Sequence, residues 1–208
     1  MLGSAGLVVL LLACSEPAPQ PVRVAEPLPL APLQVHVDRA GRTLFLHRGA
    51  EVERSAPVGI GRGGLLDKSS MSDLVTPTGI FTVDLVLHEG GELNAVAEPE
   101  RLGELSLDQL WRNMSGIDFD GDGQPDRAYG GVYVGLNGEG TGPKMRQHSR
   151  SGTAYWYSIA LHATPLPENL GAANSGGCVH VDEQLLLSLV EDGTLGLGST
   201  VVIADGGP

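Results

Sequence analysis

The residues best equipped for chemistry in this 208-residue chain are one cysteine and one histidine, Cys178 and His162, sixteen positions apart. A thiol attacks a carbonyl carbon only as thiolate, so a nucleophilic cysteine needs a base or cation close by. His162 can be that base if the segment between them turns back on itself. Pro165, Pro167, Gly171, Gly176 and Gly177 make that segment a turning loop rather than a helix. A buried cysteine beside a histidine is more often core filling, and composition alone favours that plainer reading. The flanking elements argue for chemistry. WYSIALH alternates as a strand that delivers His162, and Asp182 then caps the helical run EQLLLSLVED. A cysteine just before a helix N-terminus would also gain from the helix dipole.

These residues resemble the L,D-transpeptidase catalytic domain of bacterial cell-wall enzymes. That family's signature is His, a spacer, then Ser/Thr-x-Gly-Cys followed by an apolar residue and usually Arg or Asn. His162, Ser175, Gly177, Cys178 and Val179 match it, while Gly176 stands where His is frequent and His180 where Arg or Asn is common. Thr76-Pro77-Thr78-Gly79-Ile80-Phe81, ahead of the strand TVDLVLH, is a second shared feature. Pro77 fixes φ, and Gly79 permits a turn angle that other residues resist.

The resemblance implies a mostly-β, mixed-sheet sandwich with short helices over residues 33–205, with an insertion at 89–155. It implies a peptidoglycan L,D-transpeptidase in which Cys178 attacks a stem-peptide carbonyl and His162 is base and then acid. The Ala163 carbonyl orients the imidazole, the Gly177 and Cys178 N–H groups form the oxyanion hole, and Ser175 shapes the loop. His180, Gly176 and Arg146 are the expected substrate contacts; Arg146 belongs to a basic loop with Lys144, His148 and Arg150. Two alternatives stay open. Water as acceptor would make the chain an L,D-carboxypeptidase or hydrolase, and an idle thiol would leave a lipoprotein that only binds peptidoglycan.

The N-terminus sets the compartment. Residues 1–13 form an apolar run too short to span a bilayer and read as a signal segment. Leu11-Leu12-Ala13-Cys14 resembles a bacterial lipobox, so Cys14 is expected to carry lipid, with residues 14–32 as a Pro-rich tether. The run lacks Lys and Arg, which points to a start further upstream. With Cys14 lipidated and Cys178 free, no disulfide is expected. The expected location is the periplasm, on the outer membrane rather than the inner. A formal net charge of −12 argues against nucleic acid as a partner. The domain is expected to be monomeric.

Thirty glycines and fourteen prolines imply many turns. LQVHVD and RTLFLHR alternate around Arg39-Ala40-Gly41 as a hairpin, with His36 and His47 as surface or half-buried residues. EVERSAPVGIG reads as a third strand, SLDQLW as a short helix, and TVVIAD as the strand that closes the sheet. Between the last two, Asp118, Asp120, Asp122, Gln124 and Asp126 follow the first three-quarters of an EF-hand-type loop, with Gly123 at the sixth position. Tyr129 occupies the twelfth position, where the bidentate Glu would stand. Four carboxylates within nine residues repel one another unless a cation compensates, so a weak structural Ca²⁺ is expected there, and no cofactor for catalysis.

Overall fold

Alternation builds the first hairpin. In the computed structural model, which describes residues 31–138, 149–150, 153–154 and 159–208, β1 (Gln34–Asp38) and β2 (Thr43–Arg48) bury Val35, Val37, Leu44 and Leu46. The Asp38 carboxylate accepts from Gly41 N–H at 2.9 Å inside the turn. Cys14, Lys144, Arg146 and His148 lie outside the described residues, as does the tether up to residue 30. β3 (Glu51–Pro57) is almost wholly exposed and charged, as suits an edge strand.

The remaining elements follow in order: β4 (Ile60–Gly61), β5 (Gly79–His88), β6 (Ala95–Val96), α1 (Leu107–Ser115) and β7 (Val132–Gly138). Then come β8 (Ser149–Arg150), β9 (Thr153–Ala154), β10 (Ala160–Thr164), β11 (Ala173–Ser175), β12 (Val179–Asp182), α2 (Glu183–Glu191) and β13 (Thr200–Ala204). Nine strands join in one mixed sheet, ordered β12-β10-β7-β5-β13-β1-β2-β3, with β6 beside β5. The pairs β1/β13 and β10/β12 are parallel. β4 and β11 form a small parallel sheet of their own. The expected mostly-β, mixed-sheet architecture with short helices is what the chain adopts.

Two expectations need correction. β13 does not close the sheet; it lies between β5 and β1, and its Val201 and Ile203 are buried. The stretch 89–155 is not one insertion either, because β7 lies between β5 and β10 with Val132, Val134 and Leu136 in the core.

The sheet separates two apolar clusters. One gathers the valines and leucines of β1, β2, β5, β7, β10, β12 and β13 with Leu185, Leu186 and Leu189 of α2. Burying each such leucine stabilises the fold by ~1.5–3 kcal/mol. Asp182 caps α2 as expected, accepting from Leu185 N–H at 2.9 Å. The other cluster places Leu110, Trp111 and Met114 of α1 over Leu85, Leu87, Tyr133 and Ala160. Ser106 and Gln109 form a reciprocal capping box that starts α1. His36 and His47 are buried rather than superficial, because each ring turns inward onto a carbonyl, Gly206 at 2.6 Å and Gly49 at 2.8 Å.

Candidate active site

Strand alternation assembles the site. β10 and β12 run parallel with Leu161 opposite Val179, His162 opposite His180 and Ala163 opposite Val181. Leu161, Ala163, Val179 and Val181 enter the α2-side core. His162, His180 and Cys178, which directly precedes β12, therefore share the opposite face. Cys178 packs against the cluster containing Ala160 and Tyr133, and Tyr133 pairs with His162 across β7. His162 on β10 and Cys178 at the entry to β12 thus stand as diagonal neighbours.

His162 is 4% exposed, and its Nδ1–H donates to the Ala163 carbonyl at 2.9 Å. That bond leaves Nε2 as the lone-pair nitrogen able to take a proton. The ring sits among aromatics: Tyr129 at 5.0 Å edge-on, Tyr133 at 6.2 Å nearly parallel, and His180 at 4.8 Å. Burial, and then the charge of His180, push the His162 pKa down to about 3, only partly offset by the Ala163 bond. Burial also pushes the Cys178 thiol up to about 11, against a backbone hydrogen bond at Ala160 and the positive charge of Lys68. At neutral pH the resting pair is a thiol and a neutral imidazole.

The loop before Cys178 is tied at several points. Ser175 is buried; its Oγ–H donates to the Cys178 carbonyl at 2.6 Å and its oxygen accepts from Gly177 N–H at 3.0 Å. Gly177 has φ +128°, and a Cβ there would lie 3.2 Å from the Val75 carbonyl, so a side chain is excluded. Gly176 faces open space. Thr76 Oγ1–H donates to the Gly177 carbonyl at 2.8 Å and accepts from Gly61 N–H at 2.8 Å. Thr76 is held in turn by Arg39, 1% exposed, which donates to the Thr76, Leu65 and Leu66 carbonyls and to both oxygens of Asp205. All five guanidinium N–H groups are used.

Two details depart from expectation. Gly177 N–H is turned onto Ser175 and is not open to an oxyanion. The Cys178 thiol gains nothing from a helix N-terminus, because β12 intervenes before α2. His180 is half-buried, its Nδ1 is enclosed without a hydrogen-bond partner, and burial lowers its pKa. A neutral ring there is no standing anchor for a carboxylate. Thr76, Arg39, Lys68 and Tyr129 were not assigned roles from sequence. Thr76 belonged to a motif that could have revealed it, whereas Lys68 and Tyr129 carry no local signal.

In the acidic loop, carboxylate oxygens of Asp118, Asp120 and Asp126 lie within 4.8 Å of one another. The Asp122 carboxylate is not among them; its Oδ1 accepts from Gln124 N–H at 2.7 Å. Asp118 accepts from Gly121 and Gly123 N–H groups, which hold its carboxyl below the usual range. Backbone dipoles therefore supply part of the compensation that the sequence reading left to a cation.

Fold and site together define a mixed-sheet domain that presents a thiol and an oriented imidazole on one face. The model of the L,D-transpeptidase catalytic domain, YkuD, matches residues 32–203, and the chain belongs to that family. Among solved structures, Bdellovibrio bacteriovorus Bd1075 is 20% identical over 85% of this chain and 49% of its own, with a TM-score of 0.43. An L,D-transpeptidase from Xylanimonas cellulosilytica is 15% identical over 86% and 63%, TM-score 0.43. One from Mycobacterium tuberculosis is 12% identical over 83% and 57%, TM-score 0.45. The chain thus spans about half to three-fifths of the length of these solved chains. No curated protein matches.

Proposed function

We propose that this chain is a peptidoglycan L,D-transpeptidase that works through a Cys178 acyl-enzyme. The observation that carries the reading is the His162–Cys178 pair on one sheet face, with the Ala163 carbonyl fixing the tautomer that frees Nε2. Because both groups rest neutral, the proton moves as the bond forms. Nε2 takes the thiol proton while Sγ bonds to the carbonyl carbon of the third stem residue. The imidazolium then gives that proton to the amine of the departing terminal D-Ala as the C–N bond breaks. A side-chain amine of a second stem attacks the thioester and restores the thiol, leaving a 3→3 cross-link. The same acyl-enzyme passed to water gives the carboxypeptidase outcome.

Further parts of the proposal concern setting rather than chemistry. Cys14 carries the lipid anchor, and a monomeric domain works from the periplasmic face of the outer membrane. A structural Ca²⁺ on Asp118, Asp120 and Asp126 orders the acidic loop and takes no part in the thiol chemistry. Tyr129, which follows that loop, packs on His162.

The test is product analysis on purified tetrapeptide stems. The native protein is expected to release D-Ala and yield cross-linked dimer; tripeptide alone would reassign it as a carboxypeptidase. Cys178→Ala should abolish both products while remaining folded. Release of D-Ala by that variant at the native rate would sink the assignment.

A further inference from the structure

Lys68 is the buried cation that the mechanism above leaves unused. Its side chain is 2% exposed, and Nζ donates to Asp73 Oδ1 at 2.8 Å and to the Val75 carbonyl at 2.9 Å. Nζ lies 3.6 Å from the point where a Gly177 Cβ would stand, so the ammonium abuts the backbone of the residue before Cys178. A buried ammonium is strongly disfavoured without a charged partner. Asp73 is that partner, but its charge is shared: Oδ2 accepts from Ser69 N–H at 2.6 Å and Ser70 N–H at 2.9 Å, and Oδ1 from Val75 N–H at 3.0 Å. Burial works against ionising Asp73, yet the Lys68 bond and these N–H groups outweigh it and hold the carboxyl well below the usual range. The carboxylate thus serves Lys68 and several neutral donors together, while the ammonium also reaches the Val75 carbonyl and the backbone of Gly177.

We propose that Lys68 is an electrostatic positioning residue of the nucleophile, a fixed buried charge that stabilises negative charge on Cys178 as its proton leaves. This deepens the acyl-transfer reading of the site. Lys68 moves no proton; the thiol proton still goes to His162 Nε2. Among the described residues, the other groups around Cys178 cannot fill the role. β10 and β12 offer His162 and His180, both held neutral by burial. β7 offers Tyr133, β5 offers Leu85 and Leu87, and α1 offers only Leu110, Trp111 and Met114. Among the described residues, Lys68 is the positive charge that acts on the thiol in the thiolate-favouring direction.

The experiment reads the thiol without substrate, so it stands whether or not transpeptidation is the activity. Alkylation of the full-length protein by iodoacetamide is followed at the Cys178 peptide by mass spectrometry, from pH 7 to 10. Lys68→Met should slow alkylation about tenfold at every pH, equivalent to one unit of thiol pKa. Asp73→Asn, which removes the opposing charge and keeps Lys68, should quicken it several-fold. A merely structural role would move both variants in one direction, since both loosen the same loop. Opposite signs support the proposal; equal signs, or no change in Lys68→Met, overturn it. Loss of stem-peptide turnover with the alkylation pattern intact would count against the proposed function instead.

Discussion

Replacing Thr76 with valine tests the support beneath the nucleophile. The substitution keeps shape and β-branching and deletes one hydroxyl. That hydroxyl satisfies two buried backbone groups, the Gly61 N–H and the Gly177 carbonyl, each at 2.8 Å. Leaving one buried polar group unpaired costs about 1–3 kcal/mol, so the pair should cost about 2–6 kcal/mol. For a domain of this size that corresponds to a melting-temperature drop of roughly 4–24 °C. The carbonyl that loses its partner belongs to Gly177, so the loss falls next to the thiol. If even 1.4 kcal/mol of it appears as misplacement of Cys178 in the attacking state, the proposed acylation by tetrapeptide stems slows about tenfold. Thr76→Ser keeps the hydroxyl and should stay within about 1 kcal/mol of the native protein. The assay pairs thermal melts with second-order acylation rates for the three proteins. A valine variant that melts and acylates like the native one would refute the idea that Thr76 braces the loop.

Two further outcomes follow from the site. His162 must be deprotonated to accept the thiol proton, and burial depresses its pKa to about 3, so it stays competent far below the ordinary histidine value. The acid limb of second-order acylation by tetrapeptide stems should therefore fall well under pH 6.5; a limb at 6.5 would mean that the ring is solvated in the free enzyme. For the acidic loop, millimolar Ca²⁺ should raise the melting temperature by a few degrees. The gain should vanish in Asp118→Ala/Asp120→Ala, and no rise in the native protein would leave the loop as a turn held by its own N–H groups.

Local pattern made much of this legible. Period-two alternation gave the β1–β2 hairpin, SLDQLW read as the short helix that became α1, and Asp182 marked the start of α2. The thiol and its base were readable as a pair from a strand, a Pro- and Gly-rich turning loop and the cysteine after it; that β12 follows and sets both on one sheet face was not. What stayed hidden depends on contacts between distant residues. Nothing near residue 200 says that β13 will slide between β1 and β5, since both of its partners lie more than a hundred positions away. Gly177 N–H looked available until Ser175 Oγ was seen to occupy it. Lys68 has no motif at all; its meaning comes from the Gly177 backbone across a gap of over a hundred residues.

The same long-range bracing bears on the order in which the molecule comes together. Cys178 acquires its surroundings from Gly59, Gly61, Lys68 and Thr76, all made early in the chain, and from β10, made only shortly before it. Pairings of such wide sequence separation form slowly, because loop closure must precede their reward. Until they form, Cys178 is an ordinary solvated thiol, open to oxidation toward sulfenic acid. Completion of the fold withdraws it into a setting where the resting sulfur keeps its proton. The packing that makes the nucleophile slow to ionise also makes it slow to oxidise, and the unprotected interval is the time the chain takes to fold.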